Sequence, residues 1–146
     1  MTTPYIPLIS SGIAGPLGVL HLPRLWQKAS LAAAGKLHSD YPCGKGYDAM
    51  TLAALNINPA DFFEFMNKKP TYVELENWLC HYPNVKLDKA SIYKHNQSIM
   101  GYIHSEATRD TILKACGITD ASATNPGAVD LNNLDDWQTF WREVIA

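Results

Sequence analysis

Helix-start signals recur along this chain so closely that little but a set of short helices fits between them. The clearest is Thr71-x-x-Glu74, a capping box in which each side chain can serve the other residue's backbone N–H. Asn58-Pro59 opens another helix, with Asn as cap, Pro in the first turn and Asp61 near the positive end. Asp88 and Ser105 are caps of the same kind, and Pro23 suits the first turn of an earlier helix. Stop signals match: Gly35, Asn56 and Gly117 suit left-handed caps, and Pro83 follows the end of the fourth segment.

Between these signals apolar residues recur at helical spacing. Leu22, Leu25, Trp26, Ala29, Ala32 and Ala33 mark the first helix, and a second runs from about Asp48 to Leu55. Phe62, Phe63, Phe65 and Met66 belong to the third, and Val73, Leu75, Trp78 and Leu79 to the fourth. Ile92, Ile99 and Ile103 mark the fifth, and a sixth ends at Gly117. The last starts near Asn132 or Asn133 and carries Leu134, Trp137, Phe140, Trp141 and Val144 on one side. No segment alternates apolar and polar residues long enough for a strand. The expectation is an all-α fold, one compact domain over residues 1–146 with about seven short helices.

The first 20 residues are too rich in Pro and Gly for a regular element, yet Tyr5, Ile6, Leu8, Ile9 and Ile13 are too apolar for a free tail. They predict an ordered arm lying on the helices. His38–Tyr47 reads as a loop broken by Pro42, Gly44 and Gly46, and Asp120–Ala128 as a second, turning at Asn125-Pro126-Gly127. Leu52–Ile57 and Leu113–Ile118 echo one another, because both are helix ends with a left-handed cap and an apolar residue beyond it.

Composition narrows the function classes. A net charge of −2 with no basic run argues against nucleic acid, whose phosphates need a basic stripe. No run of 18 apolar residues predicts a membrane span. No Lys or Arg precedes Arg24, so no secretory signal is expected and the cytoplasm is the default compartment. The three scattered cysteines, Cys43, Cys80 and Cys116, read as reduced thiols. Phosphate-cradling loops, nucleophile elbows and zinc motifs are missing, and the five histidines share no ligand spacing, so no metal or cofactor is expected.

One stretch concentrates chemistry. Arg24 and Lys28 stand four residues apart, so both heads project from one helix face beside Leu25 and Trp26. The Gly-rich loop can bring Tyr41 and Asp48 over that face, with His38 in the same stretch. Two cations can hold a carboxylate, and a phenol, imidazole or carboxylate can move a proton. Arg24, Lys28 and Trp26 are therefore candidate substrate-binding residues, with Asn96 from a polar cluster on the fifth helix. Tyr41, Asp48 and His38 are candidate catalytic residues. A competing reading has Arg24 and Asp48 as an ion pair pinning two helices, with Tyr41 as a lid on the core.

Leu22-Pro-Arg24, Lys28, Gly35-Lys-Leu37, Tyr41, Asp48 and Leu55-Asn56-Ile57 together resemble a family of small bacterial proteins known as a domain of unknown function. The resemblance runs on through Pro59–Phe63, Trp78 and Asn96, so it covers most of the chain to about residue 100. Two positions depart from the pattern: Gln27 stands where an acidic residue is usual, and Asn56 where Gly is usual. The resemblance implies a helical fold and a cytoplasmic bacterial protein, and by itself no activity. It marks Arg24, Lys28, Tyr41 and Asp48, as the spacing does.

Two functional expectations follow. The first is a binder of a small organic anion near Arg24, Lys28, Tyr41 and Asp48, or an enzyme for it: a lyase, isomerase or hydrolase without a redox cofactor. The second is a non-enzymatic interaction module using an aromatic patch around Trp137 and Trp141 on the last helix. A homodimer is open under either.

Overall fold

The structure, a computed structural model, describes residues 4–119 and 127–146. Among these residues the fold is all-α. Seven α-helices follow in order: α1 Leu22–Ala33, α2 Tyr47–Ala54, α3 Pro59–Met66, α4 Tyr72–Cys80, α5 Lys89–Gly101, α6 Glu106–Ala115 and α7 Ala128–Phe140, which runs on into a π-helical turn, Trp141–Ile145. No strand occurs among them; two isolated bridges, Tyr5 with Leu37 and Ile103 with Gly127, are the only β-type pairings. No helix of the described residues is long and apolar enough to cross a membrane.

The capping signals act as their chemistry requires. Thr71 accepts from the Glu74 N–H at 3.2 Å while the Glu74 carboxylate accepts from the Thr71 N–H at 3.0 Å. Asn58, Asp88 and Ser105 each accept from a backbone N–H of the first turn they open. At the other ends, Asn56 takes φ +60° and Gly117 φ +77°. Both then close the same bond, Ile57 N–H to Leu52 O and Ile118 N–H to Leu113 O, each at 2.9 Å. The sequence echo is this shared stop.

α1 is the hub, touching α2, α3 and α4. Its Leu22 and Leu25 meet Leu52 and Leu55 of α2, Phe62 and Met66 of α3, and Leu75 and Leu79 of α4 in one buried cluster. α5 packs on α2 and α7, and α6 on α7. The arm is ordered, but backbone bonds hold it more than apolar burial does. Tyr5, Leu8 and Ile13 are exposed, while Tyr5 exchanges backbone bonds with Lys36 and His38, and Ile9 N–H donates to the Gln27 side chain.

Two expectations need correction. α7 starts at Ala128, not at Asn132 or Asn133, because Gly127 in extended conformation serves as its cap and Asp130 supplies the acid of its first turn. The aromatic patch expected on this last helix is exposed. Trp137, Trp141 and Val144 are exposed, and the buried side carries Ala128, Val129, Leu131, Asp136 and Thr139. α5 ends at Gly101, so Ile103 lies beyond it, exposed. The turn expected at Asn125-Pro126-Gly127 lies outside the described residues apart from Gly127.

Candidate functional site

Arg24 and Lys28 lie one turn apart on α1, and both heads reach the wall of a 410 Å³ cavity. The arm contributes Ser11, the loop before α2 contributes Tyr41 and Pro42, and α2 contributes Tyr47, Asp48 and Met50. Tyr102 and His104 close it from beyond α5, and Asn132, Asp135 and Asp136 from α7. The spacing thus brings together four of the expected site residues: Arg24, Lys28, Tyr41 and Asp48.

Their partners differ from the expected ones. Arg24 does not pair with Asp48. It makes a two-pronged ion pair with Asp136 of α7, at 2.6 and 3.0 Å, and its Nη1 also donates to the carbonyls of Pro7 and Ile9. One guanidinium therefore ties the arm and α7 to α1. Burial pushes the Asp136 carboxyl up, and the Arg24 hydrogen bonds pull against it.

Asp48 is fully buried and accepts three bonds. Lys28 Nζ donates at 2.7 Å and the Gly44 N–H at 2.9 Å to one oxygen, and His21 Nε2 lies 2.6 Å from the other. Burial works to raise its pKa, but the His21 hydrogen bond and the Lys28 charge overcome it and hold it below the usual carboxylate range. An ionised Asp48 only accepts, so His21 Nε2 carries the proton. The other ring nitrogen, Nδ1, then presents a lone pair, and Ser11 Oγ stands 2.8 Å from it. Burial depresses the imidazole pKa, with Asp48 opposing, so His21 is neutral near pH 7.

Ser11–His21–Asp48 is thus a continuous hydrogen-bonded chain along the cavity wall. Its geometry depends on an uncommon backbone state. His21 caps α1 with φ +73°, a left-handed conformation that costs a non-glycine residue energy, and its side chain makes no capping bond. The ring is turned instead toward Ser11 and Asp48. Aromatic rings continue the wall: His21 meets Tyr47 edge-on at 5.4 Å, Tyr47 meets Tyr102 at 5.6 Å, and Tyr102 meets His104 at 6.0 Å.

The remaining wall groups set its charge. Three cations, Arg24, Lys28 and Lys45, face four carboxylates, Asp40, Asp48, Asp135 and Asp136, leaving one negative charge in excess. Burial raises Asp135, and it raises the Tyr41 and Tyr47 phenols to about 12, so both are donors and not bases at neutral pH. Cys43, close to Asp48, is likewise pushed up to about 12 and is a poor nucleophile.

The other expected residues sit elsewhere. His38 bonds to Glu143 at 3.1 Å and stacks edge-on against Tyr41, behind the wall. Trp26 donates its indole N–H to Pro70 O and packs edge-on against Tyr72. Asn96 clamps the arm to α5, accepting from Leu20 N–H and donating to Gly18 O. None of the three lines the cavity. Among the described residues no group of three or more metal-ligating side chains converges. No protein-family model matches this chain, and no curated protein matches it.

Proposed function

We propose that the cavity beside Arg24 binds a small organic molecule and acts on it by acid–base chemistry from the chain's own side chains. The observation that carries this reading is buried His21 on the cavity wall, with Nδ1 facing Ser11 Oγ at 2.8 Å and Nε2 held by Asp48 at 2.6 Å. A base of depressed pKa, oriented by a carboxylate, is the arrangement that proton transfer needs. Arg24 and Lys28 act differently from the expected anion clamp. Both are engaged by buried carboxylates, so a free carboxylate ligand would have to compete with Asp136 and Asp48. The wall therefore favours an uncharged ligand with an apolar or aromatic part over a small anion.

The test is ligand-observed NMR with matched neutral, anionic and cationic fragments. Neutral aromatic fragments should bind, and Asn132→Trp, which fills the cavity from α7, should abolish the signal. Binding unchanged by Asn132→Trp, or a clear preference for anions, would count against this reading.

A second reading rests on its own observation. Trp137 and Trp141, 62% and 51% exposed, share a face of the last helix and its π turn with Val144. Large exposed aromatics on one side suit a protein partner, including a second copy of the chain. Sedimentation of the wild type beside Trp137→Ser/Trp141→Ser tests the second-copy case; a monomer at all concentrations removes it.

A further inference from the structure

Resting on the reading of the cavity as an acid–base site, we propose that Ser11 is its nucleophile and that the substrate is a small, uncharged carboxylic ester, hydrolysed through an acyl-Ser11 intermediate. Ser11 lies on the cavity wall within hydrogen-bond reach of a base, and that base is in turn oriented by Asp48. Nucleophile, base and orienting carboxylate in one line are the parts that activate a hydroxyl. The imidazole is used the other way round from the familiar protease arrangement, with Nδ1 toward the serine and Nε2 toward the carboxylate. The chemistry requires only a lone pair facing the hydroxyl, and the proton on Nε2 supplies it.

The steps balance with water as the only co-reactant. Ser11 Oγ attacks the ester carbonyl carbon while its proton passes to His21 Nδ1, and the imidazolium that forms is stabilised by ionised Asp48. The acyl–oxygen bond to the leaving group breaks, and His21 Nδ1 returns the proton to the departing alkoxide. Water then adds to the acyl carbon, giving a proton to His21, and the bond to Ser11 Oγ breaks as that proton returns to the serine. Ester and water have become acid and alcohol.

The substrate class follows from the wall. Its excess negative charge disfavours a carboxylate substrate and favours departure of the carboxylate product. Its aromatic ladder from Tyr47 to Tyr102 suits an aryl or alkyl group. A cavity of 410 Å³ admits a small ester and excludes a folded polypeptide.

The experiment treats the whole chain with phenylmethanesulfonyl fluoride and, separately, with 4-nitrophenyl acetate. The sulfonyl fluoride should add once, at Ser11 by peptide mapping, and the acetate should give a burst of 4-nitrophenol near one equivalent. Ser11→Ala, with its fold checked by circular dichroism and thermal midpoint, should lose the adduct and lower turnover at least about 100-fold. Ser11→Cys should restore acyl transfer through a thioester at position 11. No adduct on folded wild type, or an adduct elsewhere that survives Ser11→Ala, would overturn the nucleophile. Turnover lost in His21→Gln but kept in Ser11→Ala would also overturn it, while leaving His21 as the acid–base group. Turnover indifferent to both variants and to Asn132→Trp would remove the nucleophile and the cavity reading together.

Discussion

Arg24 is the residue whose partners decide most. A buried guanidinium that loses its carboxylate, or the reverse, leaves an uncompensated charge and costs about 3–5 kcal/mol. In urea denaturation, Arg24→Ala and Asp136→Ala should each lose stability on that scale, and the double variant should lose less than their sum. Arg24→Ala with Asp48→Asn should come much closer to additive; strong coupling there instead would contradict the pairing. His21 makes a second residue-level prediction. Its folded pKa lies below 6.5, as does that of buried His95, so at mildly acid pH the unfolded chain binds more protons than the folded one. Stability should therefore fall as pH drops through 6.5, by at most about 1.4 kcal/mol per pH unit for each proton. His21→Gln should flatten part of that slope in urea midpoints measured from pH 8 to 5.5, and an unchanged slope would show that His21 is not depressed. Asp48, held low, adds its loss at more acid pH, while the raised carboxyls of Asp135 and Asp136 work in the opposite sense. Sequence spacing found Arg24 and Lys28, because charges four apart on a helix must share a face, and the Gly-rich loop led to Tyr41 and Asp48. It missed Ser11, His21 and Asp136. A serine in a Gly-rich arm has no periodicity, and Asp136 lies 112 residues from Arg24. His21 did leave a signal: it occupies a cap position where Ser, Thr, Asp or Asn would be usual.

At the scale of elements, the short helices depend on their ends. α4 has nine residues, below the length at which helices hold in isolation. Thr71→Ala removes one half of its capping box and should cost about 1 kcal/mol, read as a lowered thermal midpoint. Glu74→Ala, acting on the same exposed box, should cost less than that and add little to the Thr71 variant. Full additivity would mean that the two bonds are not reciprocal. The starts of α3 to α6 were legible because their caps are local chemistry, satisfied within two or three residues. α7 was misread for a related reason. Asn132 and Asn133 resemble caps, but Gly127 caps this helix by conformation alone and offers no side chain to recognise. Trp137 and Trp141 are outside, and a carboxylate and a threonine are inside.

The whole molecule is held together unevenly. α1 to α4 share one apolar cluster, whereas the second half of α7 turns Asp136 and Thr139 inward and its tryptophans outward. That half therefore depends on polar contacts with α1, chiefly the two bonds from Arg24 to Asp136. The same guanidinium holds the arm through the carbonyls of Pro7 and Ile9, so the two substitutions should loosen different parts. Asp136→Asn weakens the link to α7 but leaves Arg24 bound to the arm. Hydrogen exchange should then rise at least about tenfold from residue 136 onward, equivalent to about 1.4 kcal/mol of local opening, with Tyr5 and Ile9 amides unchanged. Arg24→Ala removes both links, so the amides of Tyr5, Ile9 and His38 should speed up together with those of α7. In both variants α3 and α4 should keep their protection, because Phe62, Met66, Leu75 and Leu79 remain packed in the common cluster. A uniform rise across all helices would mean that the molecule opens as one unit and that Arg24 is no more than one contact among many. Loss confined to α7 in both variants would mean that the arm is held by its own backbone bonds to Lys36 and His38. The graded outcome, α7 alone and then α7 with the arm, follows only if one buried side chain joins three separate parts of the chain around the cavity.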